Sequence, residues 1–384
     1  MSNTSDLSYP ESRPDQIRGC IVGGAIGDAL GYAVEFMNEH AIFSKYGVHG
    51  IRAYDIDNES GKALFSDDTQ MSLFTANGLL VGDTQRHMCD IQEPPHSHVR
   101  NAYADWLRTQ EMTYASSRQY KGPTFSWLCD VPGLYSRRAP GSTCLSALKQ
   151  GNQVANNNSK GCGGIMRVAP LALNYHGIPM DMLDREGAAI AGLTHGHPLG
   201  QMPAAALTHI INRIVFPEKR QSLREIVVEA RDQMQKLFFG NGYLQELLDM
   251  MDLSIALSEN QNSDLNNIHR IGEGWVAEET LGIALYCSLR YPNDFSAGVI
   301  ASVNHKGDSD STGAVTGNIL GALLGYEAIE EKWKTNLELS DVLLEMADDL
   351  SHGCQMSEFS HYSDPDWKQK YMYMHWKETN SVPV

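Results

Sequence analysis

Two short acidic strings have the residue types and spacing for chemistry. Ser66-Asp67-Asp68-Thr69-Gln70 opens a stretch that continues Met71-Ser-Leu-Phe-Thr-Ala-Asn, and Gly307-Asp308-Ser309-Asp310-Ser311-Thr312 lies far downstream. Taken alone, either string can serve as a helix cap. Asp67-x-x-Gln70 has the spacing of a capping box, and Asp308 or Asp310 suits an N-cap. A cap needs one acid, however, and each string supplies two, flanked by hydroxyls. If the strings converge, four carboxylates and several hydroxyls surround one point. Such a cluster cannot stay ionised without cations. An all-oxygen shell with neither Cys nor His selects hard ions, Mg²⁺ or Mn²⁺ ahead of Zn²⁺. Four acids suit a two-metal site, with ions about 3.5–4 Å apart.

The elements that must position these strings carry two glycine ladders, Gly19-Gly23-Gly27-Gly31 and Gly313-Gly317-Gly321-Gly325. A spacing of four lines each ladder along one helix face. Glycine inside a helix costs about 1 kcal/mol relative to alanine, so four per helix need a compensating reason. Close approach of another helix backbone supplies it, one ladder against the other. Membrane dimerisation through small-xxx-small faces is disfavoured, because Asp28 and Glu35 interrupt the first segment. Asp28, Gly31 and Glu35 share a helix face, so both acids can point at one cleft.

The rest of the chain reads as helical. Apolar residues recur at three and four over 15–36, 68–82, 97–109, 142–150, 164–174, 182–194, 198–214, 221–238, 242–257, 277–290, 293–304, 311–330 and 339–350. Strand-like alternation is scarce, apart from a possible hairpin near 47–65. The expected fold is all-α: a mobile tail over 1–14, one domain over 15–350 and a C-terminal extension over 351–384. Residues 83–98 and the Asn-rich 151–160 read as surface insertions. With 384 residues, 42% of them hydrophobic, the chain can bury a large core. Its formal charge of −17 argues against a nucleic-acid partner. No apolar run reaches bilayer length, and the N-terminus lacks the apolar stretch of a signal peptide. Seven scattered Cys without a CxxC pair fit reduced thiols in a cytoplasmic protein.

Three further segments face a bland alternative. Arg138-Ala-Pro-Gly141-Ser142-Thr143 enters a helix and can hold a phosphate on backbone N–H groups, or be an ordinary Pro-Gly turn with a cap. Gly161-Cys-Gly-Gly164-Ile-Met-Arg167 offers backbone to a ligand, or packs tightly. In Thr194-His195-Gly196-His197, a His can close the preceding helix end. Trp275 reads as a core residue, and His96 and His98 receive no role.

The ordered set Gly27-Asp-Ala-Leu-Gly31, Ser66-Asp-Asp-Thr69, Arg138-Ala-Pro-Gly141, Gly161-Cys-Gly-Gly-Ile-Met-Arg167, Thr194-His195 and Gly307-Asp-Ser-Asp-Ser-Thr312 resembles the ADP-ribosylglycohydrolase family, from residue 19 to about 326. The resemblance implies a compact all-α fold around two Mg²⁺ or Mn²⁺ ions. Their ligands would be Ser66, Asp67, Asp68, Asp308, Asp310 and Ser311. Asp67, Asp68 and Glu35 would handle protons. Gly141, Ser142, Thr143, Gly163, Gly164, Met166 and His195 would form the walls for the diphosphate and adenosine-side ribose. The implied activity is hydrolysis of ADP-ribose from a modified protein. Ser-Asp-Asp-Thr, Gly-Cys-Gly and Asp-Ser-Asp-Ser-Thr are similar to arginine-linkage members. The alternatives are O-linked substrates (serine or poly(ADP-ribose)) and a silent structural relative. Two other readings are discounted. Asp308-x-Asp310-x-Thr312 matches a haloacid-dehalogenase string but should follow a strand, and a terpenoid synthase needs an acid where Met71 stands.

Overall fold

A computed structural model describes residues 13–376. Its helices, in chain order, are α1 (Arg13–Tyr32), α2 (Glu39–Tyr46), α3 (Asp67–Cys89), α4 (Pro95–Glu111), α5 (Tyr114–Ser117), α6 (Ser142–Gln150), α7 (Ala169–Asn174), α8 (Met180–Gly192) and α9 (Pro198–Val215). The second half holds α10 (Leu223–Leu237), α11 (Leu244–Ser258), α12 (Asp264–Ile271), α13 (Ala277–Arg290), α14 (Phe295–Val303), α15 (Ser309–Leu324), α16 (Glu331–Lys334), α17 (Ser340–His352) and α18 (Pro365–Tyr371). Short 3₁₀ turns occur at Trp127–Asp130, Pro132–Tyr135 and Cys162–Gly164.

The axis of the fold is the antiparallel pair α1–α15, and the ladders explain it. Gly19 faces Gly321, Gly23 faces Gly317, Gly27 faces Gly313, and Gly31 faces Ser309. A Cβ at Gly23 would lie 2.5 Å from the Gly317 carbonyl oxygen, so only glycine lets the backbones approach this closely. Asn318 locks the register by donating to the Cys20 carbonyl at 2.8 Å. The pairing fixes where α15 begins, and therefore where Asp308 and Asp310 stand. Ile26, Leu30, Val315 and Ile319 run into the core, which α3, α9, α13 and α17 complete.

Several expected boundaries are corrected. The first helix ends at Tyr32, and Glu35 stands in the following turn. The hairpin near 47–65 is absent. Among the described residues only isolated bridges occur, and Ala63 pairs with Leu337 instead of a local partner. Residues 83–98 are not an insertion: α3 continues to Cys89, and α4 begins at Pro95. Gly78 and Gly82 let α4 approach, and a Cβ at Gly82 would meet the His98 ring. The 164–174 helix is shorter because the chain makes a 3₁₀ turn first, and helix resumes only at Ala169. The last ladder helix stops at Leu324, where Gly325 turns to φ 85°. Residues 13 and 14 of the expected tail already belong to α1, and the remainder of that tail lies outside the described residues.

The C-terminal extension, followed to residue 376, packs on the domain. Trp367 is buried and donates its indole N–H to Thr84 Oγ1 at 2.9 Å. Trp376 stacks on Trp127 with ring centroids 5.6 Å apart. Trp367→Ala is expected to lower stability by about 3–5 kcal/mol, the usual range for truncating a core tryptophan. A urea midpoint equal to the parent's would show that α18 is peripheral.

Candidate active site

Asp28 organises the start of α3 from below. One of its oxygens accepts the Ser66 N–H at 2.8 Å, and the other accepts the Thr69 N–H at 3.0 Å and its hydroxyl at 2.5 Å. Its carboxylate is thereby committed to holding the first string, and does not share a cleft with Glu35 as the face pattern suggested. Ser66 is the N-cap, accepting from the Asp68 N–H at 3.2 Å. The expected Asp67–Gln70 capping box is not formed. Gln70 instead binds the Ser136 carbonyl, Trp106 and Gln110. With Ser66 as cap, both Asp67 and Asp68 are released from capping.

The second string caps its helix through Asp308, whose carboxylate accepts the Ser311 N–H at 3.3 Å. Asp310 accepts the same N–H at 2.9 Å. The strings then meet directly: Ser311 Oγ donates to Asp68 Oδ2 at 2.8 Å, across 243 positions of sequence. Asp67 is held from the other side by the Gly141 N–H at 3.3 Å. Glu35 completes the cluster. It is 7% exposed, and its Oε2 has no hydrogen-bond partner among the described residues.

The electrostatics follow from burial without a counter-charge. Burial, then the charge of Asp310, raises Asp28 to about 7. Burial, then the charges of Asp310, Asp308 and Asp67, raises Glu35 to about 10. Asp67, Asp68 and Asp308 are also pushed well above the carboxylate range, by burial first and Asp310 second. Arg138, in the loop before α6, is paired with Glu338 at 3.1 Å. A donor set of buried carboxylates and serine hydroxyls, with an orphaned carboxylate oxygen, fits hard divalent cations. Among the described residues, no group of three or more His, Cys, Asp or Glu side chains is drawn together as a metal shell.

A pH dependence follows. Carboxyls whose folded pKa lies above the unfolded value near 4 contribute their stability fully below that value. They lose it as pH rises through the folded pKa. In chelator, the melting temperature is therefore expected to fall between pH 5 and pH 8, as Asp28 passes about 7. Added Mn²⁺ should restore more at pH 8 than at pH 5, contributing about 2.7 kcal/mol at 100 times its Kd. A melting temperature that rises with pH in chelator contradicts this account.

Sequence reasoning missed Cys162. Its thiol donates to Asp308 Oδ2 at 2.7 Å, so the cluster is not bounded by oxygen alone. The spacing of one thiol from a distant acid carries no local signal. The other wall residues separate by role. Gly141 begins α6 with no side-chain cap, leaving an open N-terminus beside Ser142 and Thr143. Gly163 lies against His195 and Cys144, whereas Gly164 is a packing glycine pressed on Ala191 and the Gly200 carbonyl. Met166 approaches Ser311 at 4.0 Å. Neither His ring closes the preceding helix α8, whose C-cap is Leu193; His197 instead caps the start of α9, accepting from the Leu199 N–H at 3.1 Å. Trp275 is 41% exposed, contrary to the expected core placement. Its carbonyl accepts the Cys162 N–H at the rim of the cluster.

The profile of the ADP-ribosylglycohydrolase family matches residues 9–359. The chain belongs to the ADP-ribosylglycohydrolase family. Among relatives, it is 24% identical to the ADP-ribosyl-[dinitrogen reductase] glycohydrolase of Rhodospirillum rubrum over 331 residues, 85% of this chain and 91% of that protein. It is 22% identical to the bovine ADP-ribosylhydrolase ARH3 over 84% of this chain and 88% of that one. The ADP-ribosylarginine hydrolase Tri1 of Serratia proteamaculans is 24% identical, over 93% of this chain and 85% of that one. A solved structure titled ADP-ribosylglycohydrolase-related protein complex superposes with a TM-score of 0.63 at 23% identity, covering 89% of this chain and 98% of the other. That likeness carries the ADP-ribosylglycohydrolase fold. It leaves no place for a haloacid-dehalogenase reading, since α14 and not a strand precedes Asp308. Among the described residues, no helix is long and apolar enough to cross a membrane.

Proposed function

We propose that the protein is a divalent-cation-dependent hydrolase that releases ADP-ribose from ADP-ribosylated protein, with arginine as the linkage. The observation that carries this reading is the meeting of the two acidic strings through Ser311 and Asp68, beside a buried Glu35 with an unpartnered oxygen. The linkage rests on the Ser-Asp-Asp-Thr and Asp-Ser-Asp-Ser-Thr wording and on the name of the Serratia relative.

Ser66, Asp67, Asp68, Asp308, Asp310 and Ser311 would hold two Mg²⁺ or Mn²⁺ ions, which supply Lewis-acid polarisation and orient ribose hydroxyls when bound. The chain's own groups then divide the work. The N-terminus of α6 binds the diphosphate through the backbone N–H groups of Ser142 and Thr143, while the Gly141 N–H holds Asp67 and its lack of a side chain keeps the approach clear. The Gly163 backbone, Met166 and His195 close the wall behind it. Breaking the C1″ bond builds positive charge on the ribose, and the surrounding carboxylates stabilise it. Glu35, Asp67 or Asp68 accepts the proton of the attacking water as its oxygen bonds to C1″, and returns that proton to the guanidine nitrogen, which leaves with the electron pair of the broken C1″–N bond.

Incubation with ADP-ribosyl-arginine, ADP-ribosyl-serine and poly(ADP-ribose), with and without Mn²⁺, tests the reading by the ADP-ribose released. Release from the arginine conjugate that depends on Mn²⁺ is expected. Faster release from serine or from polymer would move the assignment to O-linked substrates. No release from any, with no binding of free ADP-ribose, would mark a silent relative.

A further inference from the structure

Behind the wall of the proposed diphosphate groove lies a buried guanidinium whose recorded partners are all neutral. Arg167 is fully buried. Its Nη2 donates to Thr194 Oγ1 at 2.6 Å and to the Ile190 carbonyl at 3.4 Å, and its Nη1 faces the sulfurs of Met71 and Cys144 at 3.4 Å. The cation stands over the Tyr103 ring, 4.6 Å from its centroid. Its Nε has no hydrogen-bond partner among the described residues. A buried cation without a carboxylate is expensive, and an apolar side chain of similar volume would serve packing better. What Arg167 does to its neighbours gives it a use.

Arg167 occupies one lone pair of the Thr194 hydroxyl. That hydroxyl is 2.8 Å from His195 Nδ1. Its proton has two possible acceptors nearby, an imidazole nitrogen and the Cys144 sulfur, and the nitrogen is much the stronger. That difference in acceptor strength favours a Thr194 O–H donating to Nδ1 over one turned to the Cys144 sulfur, and such a bond puts the single ring proton of the neutral imidazole on Nε2. Burial, then the charge of Arg167, holds His195 down at about 3, so the ring stays neutral at physiological pH. Nε2 meets no hydrogen-bond partner among the described residues. It faces the Gly161 backbone, where a Cβ would stand 3.3 Å away, while Cε1 would lie 2.9 Å from a Cβ on Gly163. Ser159 and Thr143, joined at 3.3 Å, link this loop to the open end of α6.

We propose that Arg167 and Thr194 are positioning residues that lock His195 in its Nε2–H tautomer, so that it presents one fixed N–H donor to a phosphate oxygen of the diphosphate. The inference rests on the functional reading above for its ligand, but not for the tautomer. The relay runs from Arg167 Nη2 to Thr194 Oγ1, and from that hydroxyl to Nδ1. No proton is transferred; each group only fixes the direction of the next. Without the relay, the ring would be free to place its proton on Nδ1 and turn an acceptor toward an anion.

The test combines ¹⁵N–¹H correlation spectra of the histidine rings, with His195 assigned by His195→Gln, and calorimetry with ADP-ribose in Mn²⁺. The full-length protein is expected to show His195 as the Nε2–H tautomer. Thr194→Ser keeps the hydroxyl and should keep both the spectrum and the Kd. Thr194→Val removes the donor, and should mix the tautomers and weaken ADP-ribose about tenfold, the loss of one hydrogen bond. An Nδ1–H tautomer in the parent overturns the relay, and that measurement needs no variant to fold. A Thr194→Val protein with the parent's spectrum and Kd overturns it equally. If the parent shows the Nε2–H tautomer but binds no ADP-ribose, the relay stands while the phosphate role and the functional reading both fall.

Discussion

A chain carrying Gly23→Ala and Gly317→Ala is expected to lose cooperative unfolding, or to melt far below the parent. Locally, alanine favours each helix by about 1 kcal/mol relative to glycine. Any loss therefore comes from the contact between helices. A Cβ at Gly23 would lie 2.5 Å from the Gly317 carbonyl oxygen, and a Cβ at Gly317 meets the Gly23 carbonyl and the Gly24 backbone N. These are backbone atoms inside two helices, and no rotamer change moves them aside. Overpacking of side chains typically costs about 1–3 kcal/mol; here the helices must separate, and the effect should exceed that range. Separation also moves the first turn of α15 away from Asp28 and α3, so any residual folded protein should be inactive. Thermal melts followed by circular dichroism decide the matter. A variant as stable as the parent would mean that the ladders do not touch.

Asp67→Asn combined with Asp310→Asn should leave the helical spectrum intact and reduce ADP-ribose release by more than about 100-fold. The comparison is with residues that merely support metal ligands, whose loss costs about 10–100-fold in affinity or activity. The same change should have the opposite effect on stability in chelator. Asp310 is a leading electrostatic cause of the raised values of Asp67, Asp68, Asp308 and Glu35. Replacing two of these acids by neutral isosteres removes repulsion that a bound proton or a cation otherwise relieves. In chelator at pH 8, the double variant is therefore expected to melt above the parent, and with Mn²⁺ the order should narrow or reverse. Full turnover in the variant, or in excess chelator, removes the cation-dependent reading.

The helices were legible because their apolar periods are long, and the family resemblance was legible because its motifs are ordered along most of the chain. The ladders announced their own partner, since glycine every fourth residue has no local justification. Errors fell where a long-range contact overrides a local pattern. Gln70 has the spacing of a cap, but a buried Trp106 and Gln110 claim its side chain. Glu35 continues the face of Asp28 on an ideal helix, yet α1 ends at Tyr32 and the two acids take different duties. Residues 83–98 look like an insertion by composition. Close approach of His98 and Val99 to Gly82 and Gly78 makes most of them part of a helical hairpin.

What the sequence alone determined is the inventory: two acidic strings with hydroxyl neighbours, two glycine faces and an all-helical pattern, each set by residue type and local spacing. Tertiary structure decided which acid supports and which is left free, that Cys162 reaches Asp308, and that Arg167 and Thr194 stand behind His195. Local spacing fixes which side of its own helix a residue occupies. The protonation and direction of a buried side chain depend on which distant groups share its low-dielectric surroundings, and only the folded chain brings those groups together.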